Sequence, residues 1–418
     1  MSDLLDPLLD RHAKGFPPRQ PPLRVSQIGA QGWSVLGGDL PLPLALIRRG
    51  ALDHNLGWMQ GFATQRGLGL APHGKTTMSP QLFRRQLDAG AWGITFATVG
   101  QAAVGVASGA RRGLIANQVL APVDLAALAA LLAADPGLRL PFLLDSAAQL
   151  AIIESTAPAV PFEVLVEVGV PGGRTGCRTA DEALALARAA RSSASVRLVG
   201  VECYEGLAAT GDDPKDRAST APLMQRLVAA ARAFDAEALF EADTVLLSAG
   251  GSGIFDLVVP ALQTALSRPV QGLLRSGCYV THDQGHYTRL VAQVNRRIGC
   301  DNGLQAALEV WATVQSCPEP GLAILAVGKR DVSYDMALPQ PLWRCPAGSA
   351  APARAPAGWT VTGLNDQHAY LRCESPPPAV GDRIGLGISH PCTTFDKWRW
   401  MPVVDERYRV VDAITTCF

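Results

Sequence analysis

Between residues 67 and 276, eight short apolar runs alternate with Ala- and Leu-rich helical runs, and nothing else constrains the fold so strongly. The apolar runs fall at 67–71, 93–97, 113–119, 138–145, 162–168, 196–203, 243–248 and 271–276, each bounded by turn residues. Segments between them, such as 123–134, 181–190 and 221–239, carry helical spacing. Strands joined through helices run parallel, because the crossover returns the chain to the same end of the sheet. Eight such units in roughly 250 residues are what a (β/α)8 barrel of the TIM type requires, although an open doubly wound sheet shares the local pattern. A further strand at 43–48 is one too many for the barrel. After about residue 290 the runs become short, strand-like and separated by Pro, Gly and Asn, at 304–314, 321–327, 358–363, 369–372 and 383–388. The expected fold is therefore α/β: a barrel plus a smaller C-terminal all-β domain that also takes in the N-terminal strand. The corresponding units are 1–48 (arm and strand), 49–290 (barrel) and 291–418 (β domain). The arm, with Pro17, Pro18, Pro21 and Pro22, has too few apolar residues for a core of its own and must lie on something else. Residues 339–356, rich in Pro and Ala, are expected to be a long surface loop.

Composition removes several function classes. Lys plus Arg equals Asp plus Glu at 37 each, so no charge excess points to nucleic acid or an anionic membrane as partner. Nine scattered Cys, an odd number, do not form a disulfide framework and indicate a reducing compartment. No apolar run approaches bilayer length, and the charged, Pro-rich N-terminus has no apolar h-region. A cytoplasmic protein is expected.

In a parallel barrel, chemistry gathers where strands end. The segment APHGKTTMSP (71–80) puts Lys75 where the first strand turns toward a helix, and a desolvated lysine suits Schiff-base chemistry. EVGVPGGRTG (167–176) places Arg174 in a Gly loop, and GVECYEG (200–206) ends the sixth strand at Tyr204. On its own Arg174 could equally be a surface arginine, and Tyr204 reads as a buried aromatic. SAGGSGIFD (248–256) could turn the N–H groups of Gly250, Gly251, Ser252 and Gly253 toward a dianion, late in the barrel where phosphate sites occur. LRSGCYVTHDQGHY (274–287) follows, with Tyr279 and with His282 and Asp283, which could form a proton relay or only a polar loop. In the β domain, ISHPCTTFDKW (388–398) carries His390 and Cys392 two apart at a strand end, which would send both side chains from one face. Imidazole with thiolate suits Zn²⁺.

These motifs resemble, in order, those of the D-serine dehydratase and D-threonine aldolase family, which shares the alanine racemase architecture known as fold type III. PHGKTT looks like the family's PHxKTH box around the pyridoxal-phosphate lysine, with Thr77 in place of its second His. The resemblance implies that Lys75 holds pyridoxal phosphate and that Arg174 approaches its phenolic oxygen. It also puts Tyr204 beside the pyridine ring and Tyr279 near the phosphate, as in the family's Arg-Pro-Gly-Thr-Tyr. Ser276 replaces that Pro, and Leu207 stands where the family often has His. His390 and Cys392 match the family's metal-binding His-x-Cys pair, for Zn²⁺ or alternatively Mn²⁺ or Mg²⁺. His368 resembles part of a Glu-His-Gly element, and PCTTFDKW with VVDAITTCF resembles bacterial D-serine deaminase-like members. Residues 328–335 (GKRDVSYD) are expected to be a solvated loop facing a partner subunit's site in a homodimer.

The implied activity is a lyase acting on a small D-amino acid, dehydrating and deaminating D-serine or a related D-3-hydroxy amino acid to a 2-oxo acid and ammonia. D-Threonine-type aldolase chemistry, giving glycine and an aldehyde, shares fold, cofactor and metal. A cofactor-carrier protein without turnover is a third reading, against which the β domain and the His-x-Cys pair both speak.

Overall fold

The computed structural model describes residues 3–418. All eight expected runs form parallel strands: Gly69–Leu70, Ile94–Phe96, Gly113–Gln118, Phe142–Leu144, Phe162–Glu167, Val196–Glu202, Val245–Ala249 and Val270–Leu274. The second to the eighth are neighbours in chain order, and the eighth pairs with the first. The last seam closes through Trp92 N–H to Leu70 O at 2.7 Å, Thr95 N–H to Pro72 O at 2.8 Å, and a parallel bridge between His73 and Thr95. The sheet is thus a barrel, not an open doubly wound sheet. The fourth strand is shorter than the 138–145 run because Pro141 has no N–H to give to a ladder.

Helices return the chain between strands, and polar caps fix where several begin. Ser79, Thr98, Ser146, Thr179 and Asp212 each accept a hydrogen bond from a backbone N–H of the first turn. Such caps set how far each strand-end segment extends over the mouth of the barrel before its helix starts.

The β domain is built on a 12-residue strand, Leu308–Glu319. It pairs antiparallel with Leu44–Arg48, Arg383–Gly387 and Leu322–Leu325. The N-terminal strand, expected to leave the barrel, thus adds to this sheet, with Leu308 opposite Ile47 and Val403 of Trp400–Val404 beside Ile47 on its other edge. Two expectations need correction. Residues 339–356 are not simply a loop: Gln340–Cys345 pairs with Arg383–Gly387 and with Ala353–Arg354. Its proline is tolerated because the register shifts between Pro341 and Trp343, a bulge where no N–H is required. The C-terminal hairpin of Trp400–Val404 with Val410–Thr415 also goes beyond the strands anticipated. The proline-rich arm is sealed onto this domain: Phe16 packs edge-on between Trp33 and Trp400, and Trp400 Nε1–H donates to Lys14 O at 2.9 Å.

The two parts meet over the barrel mouth. Gln284, beyond the eighth strand, donates its N–H to Ile388 O at 3.0 Å and accepts from Ile388 N–H at 3.1 Å. That clasp delivers His390 and Cys392 to the strand ends. Among the described residues no helix is long and apolar enough to cross a membrane.

Candidate active site

Lys75 stands on a 3₁₀ turn, Gly74–Thr76, directly after the first strand, with an exposed side chain. The turn can form because Gly74 has no Cβ; one would lie 2.9 Å from the Phe83 ring. Beside the lysine, burial first and then Lys75 and Arg275 depress the pKa of His73 well below its ordinary value, so the imidazole is neutral.

Opposite, the loop after Phe162–Glu167 carries Arg174, whose guanidinium lies 5.0 Å from the centre of the Tyr204 ring. A second arginine shapes that loop. Arg178 donates to the carbonyls of Thr175, Gly176, Gly173 and Arg174 at 2.6, 3.0, 2.9 and 3.1 Å. Gly176, at φ 94°, gives its N–H to Asp145 at the end of the fourth strand. Arg174, Tyr204, Glu205 and Leu207 line one cleft.

Tyr204 is followed by Glu205, whose buried carboxylate accepts from Gly250 N–H at 3.0 Å and Gly251 N–H at 2.6 Å. This corrects the expectation for those two glycines, because their N–H groups are already taken by an internal carboxylate. Ser252 is placed differently: its Oγ accepts from Gly277 N–H and Cys278 N–H, both at 3.2 Å, bringing the turns after strands seven and eight together. A Cβ on Gly277 would lie 2.6 Å from His73 O, so this approach also needs glycine. Tyr279 faces the interior, its ring in the core and its hydroxyl accepting from Gln86 Nε2 at 3.3 Å. Beneath the mouth, Arg275 is buried and held by Ser248 Oγ at 2.7 Å, Cys203 O at 3.0 Å and Glu202 at 2.5 Å. Burial, with Glu167 and Glu205 adding to it against Arg275, pushes the Glu202 carboxyl up to about 8.

His390 and Cys392 do come to this mouth, though not by strand alternation. The strand ends at Gly387, and Cys392 begins a one-turn helix, Cys392–Phe395. Cys392 Sγ lies 3.5 Å from Thr76 Oγ1, the residue after Lys75, and 3.6 Å from Cys278 Sγ. Hydrogen bonding from Cys278, opposed by burial and assisted by His390, holds the Cys392 pKa well below the usual thiol range. His390 Nδ1 meets Asp335 Oδ2 at 2.6 Å, and Asp335 Oδ1 accepts from Thr393 Oγ1 at 2.8 Å. Burial opposes imidazolium, but Cys392 and Asp335 outweigh it and raise the His390 pKa to about 9. Residues 328–335 are therefore only partly a solvated loop: Asp331 and Ser333 are buried, Ser333 Oγ accepts His390 N–H, and Asp335 orients the ring. Among the described residues, no three or more His, Cys, Asp or Glu side chains already converge as a metal site. His282 and Asp283 are buried too, with Asp283 accepting from Gly285, Tyr287 and Thr288 N–H at the start of the helix His286–Ile298. His368 is exposed on a turn of the β domain.

Sequence pattern alone did not single out Arg178, Glu205, Arg275, Cys278 or Asp335. Arg275, Glu205 and Cys278 carried one available signal, adjacency to a motif at a strand end. Arg178 and Asp335 act through contacts that only the folded chain makes.

Two family models match this chain: the alanine racemase N-terminal domain over residues 47–269 and the serine dehydratase domain over 307–404. A D-threonine aldolase of Arthrobacter sp. is 28% identical over 363 residues, covering 85% of this chain and 86% of that protein. A D-threo-3-hydroxyaspartate dehydratase of Delftia sp. is 28% identical over 372 residues, covering 85% and 92%. The crystal structure of D-threonine aldolase from Filomicrobium marinum superposes with a TM-score of 0.75 at 24% identity, covering 92% of this chain and 96% of that one. With more than half its length matched, the chain belongs to the alanine racemase N-terminal domain family, among the fold type III pyridoxal-phosphate enzymes.

Proposed function

We propose that this protein is a metal-dependent D-amino acid lyase of that cofactor class, converting D-serine or a related D-3-hydroxy amino acid to a 2-oxo acid and ammonia. The observation that carries the reading is the approach of Cys392 to Thr76, which sets the His390–Cys392 pair beside Lys75. The residue types fit both groups chemically: an exposed amine at Lys75, a guanidinium at Arg174, and a thiol at Cys392 with an imidazole at His390 oriented by Asp335. When bound, pyridoxal phosphate would supply an electron sink at Cα, and Zn²⁺ on His390 and Cys392 a Lewis acid for the β-hydroxyl.

The chain's own groups would divide the remaining work. Lys75 would hold the cofactor and, once released from it, take the Cα proton on Nζ. Arg174 supplies a permanent cation over Tyr204, suited to a phenolate. The turns that Ser252 Oγ ties together by accepting from Gly277 and Cys278 N–H would border a bound phosphate, while Gly250 and Gly251 are braced through Glu205. Tyr279, anchored by Gln86, fixes the turn that carries those N–H groups. Asp335 on Nδ1 leaves His390 Nε2 as the ligating nitrogen. Sulfur among the ligands favours Zn²⁺ over Mn²⁺ or Mg²⁺. All nine cysteines are unpaired, as suits a reducing cytoplasm.

A second reading, the aldolase, is supported by the 28% identity to the Arthrobacter enzyme. Products separate the two. Holoenzyme with Zn²⁺ is given D-serine, D-threonine and D-3-hydroxyaspartate in turn and assayed for 2-oxo acid, ammonia and glycine. Oxo acid and ammonia without glycine are expected; glycine with an aldehyde would replace the dehydratase by the aldolase. Full activity in metal-free enzyme would remove the metal from the reading.

A further inference from the structure

We infer that Cys278 is a metal ligand together with Cys392, so that the ion at the barrel mouth is held by two sulfurs and His390. The inference rests on the proposed role of Cys392 and adds a residue to it. Cys278 and Cys392 are 114 positions apart, one after the eighth barrel strand and one in the β domain, yet their sulfurs lie 3.6 Å from each other. A disulfide would need about 2.05 Å, and both thiols are free. Two sulfurs each about 2.3 Å from one tetrahedral Zn²⁺ stand roughly 3.7 Å apart, which is the separation found.

The surroundings of Cys278 agree. Its side chain is buried, where a thiol ordinarily packs among apolar atoms, but its sulfur meets polar neighbours, Cys392 Sγ and Thr76 Oγ1 at 3.9 Å. Its backbone is fixed independently by the bond from its N–H to Ser252, so the sulfur is free to ligate without disturbing the phosphate surface. The ligand count also becomes reasonable. A His-x-Cys pair alone offers two protein ligands, whereas catalytic zinc sites keep three and leave a fourth position for water or substrate oxygen. Two thiolates and one imidazole supply that number; the two sulfurs are already in place, whereas the imidazole must still close on them, since no three such side chains converge among the described residues.

The test counts sulfur on the metal directly. X-ray absorption fine structure on the wild-type Zn²⁺ holoenzyme is expected to show two sulfur scatterers, and one sulfur would overturn the inference. Cobalt titration supplies the residue assignment: thiolate-to-Co²⁺ charge-transfer absorbance should fall by about half in Cys278→Ser and in Cys278→Thr, with cofactor loading and far-ultraviolet circular dichroism intact. Zn²⁺ affinity, by chelator competition, should weaken more than about 100-fold, beyond the cost of losing an outer hydrogen bond. If the Cys278 variants keep the full band and affinity while Cys392→Ser loses them, Cys278 is not a ligand and the His390–Cys392 reading stands. If Cys392→Ser also changes nothing, that underlying reading fails and this inference with it.

Discussion

The barrel mouth and the metal-pair segment of the β domain contribute to one site in opposite ways. At the mouth, Lys75, Tyr204 and Ser252 sit within a few residues of parallel strand ends, so the ladder sets their positions. His390 lies on irregular backbone and Cys392 opens a single helical turn, a segment held by Ser333, Asp335, Thr393 and Thr394 through side-chain hydrogen bonds, and by the clasp at Gln284. The barrel therefore fixes Lys75, Tyr204 and Ser252 through backbone pairing, whereas the β domain fixes His390 and Cys392 through a few polar contacts. A fixed frame tolerates loss of an outer contact better than a hung segment does, and substitutions can be arranged to break that contrast.

The largest effect is expected at the lysine. Lys75→Ala should lower kcat by at least about 10³-fold and abolish the visible absorbance of bound cofactor, while Zn²⁺ content stays near wild type. Loss of the metal as well would show the two regions to be one cooperative unit. On the other side, Asp335→Asn should weaken Zn²⁺ affinity by about 10- to 100-fold and leave cofactor absorbance unchanged, as measured by chelator competition. Unchanged affinity would mean that His390 is oriented by packing alone.

Arg178→Ala tests whether a loop on the barrel also needs side-chain support. Four carbonyls lose their common donor, so about 2 kcal/mol of stability and part of the cofactor affinity should go, seen in thermal unfolding and in a cofactor titration. Arg178→Lys should not restore it, because an ammonium cannot reproduce the fork.

The smallest effect concerns Glu202, on the floor of the mouth. Its carboxyl is raised to about 8, so between about pH 5 and pH 8 the folded chain holds a proton that the unfolded chain has released. Stability should therefore fall as pH rises through that window, by up to about 1.4 kcal/mol per pH unit, and level off above it. Glu202→Gln should flatten the profile in urea unfolding. A wild-type profile already flat would show that Arg275 keeps Glu202 ionised.

Much of this was legible in the linear order of residues. Turn-bounded apolar runs gave the eight barrel strands, because period and punctuation are local properties. The motif around Lys75 and the His-x-Cys pair were also local. Residues 339–356 were harder, since a proline at a bulge looks the same in sequence as a proline in a loop. Gly250 and Gly251 looked like free donors because the carboxylate that takes their N–H groups, Glu205, is 45 and 46 positions away.

Sequence by itself determined the eight barrel strands, the extra N-terminal strand and the place of Lys75 at a strand end, since each follows from short-range pattern, while closure into a barrel was settled by the seam between its first and second strands. Tertiary structure alone decided which groups meet: Arg275 with Glu202, Asp335 with His390, and Cys278 with Cys392. Those pairs lie 55 to 114 residues apart, and Arg275 meets Glu202 across the intervening seventh strand. Only closure of the barrel and the docking of the β sheet over its mouth bring them within reach of one another.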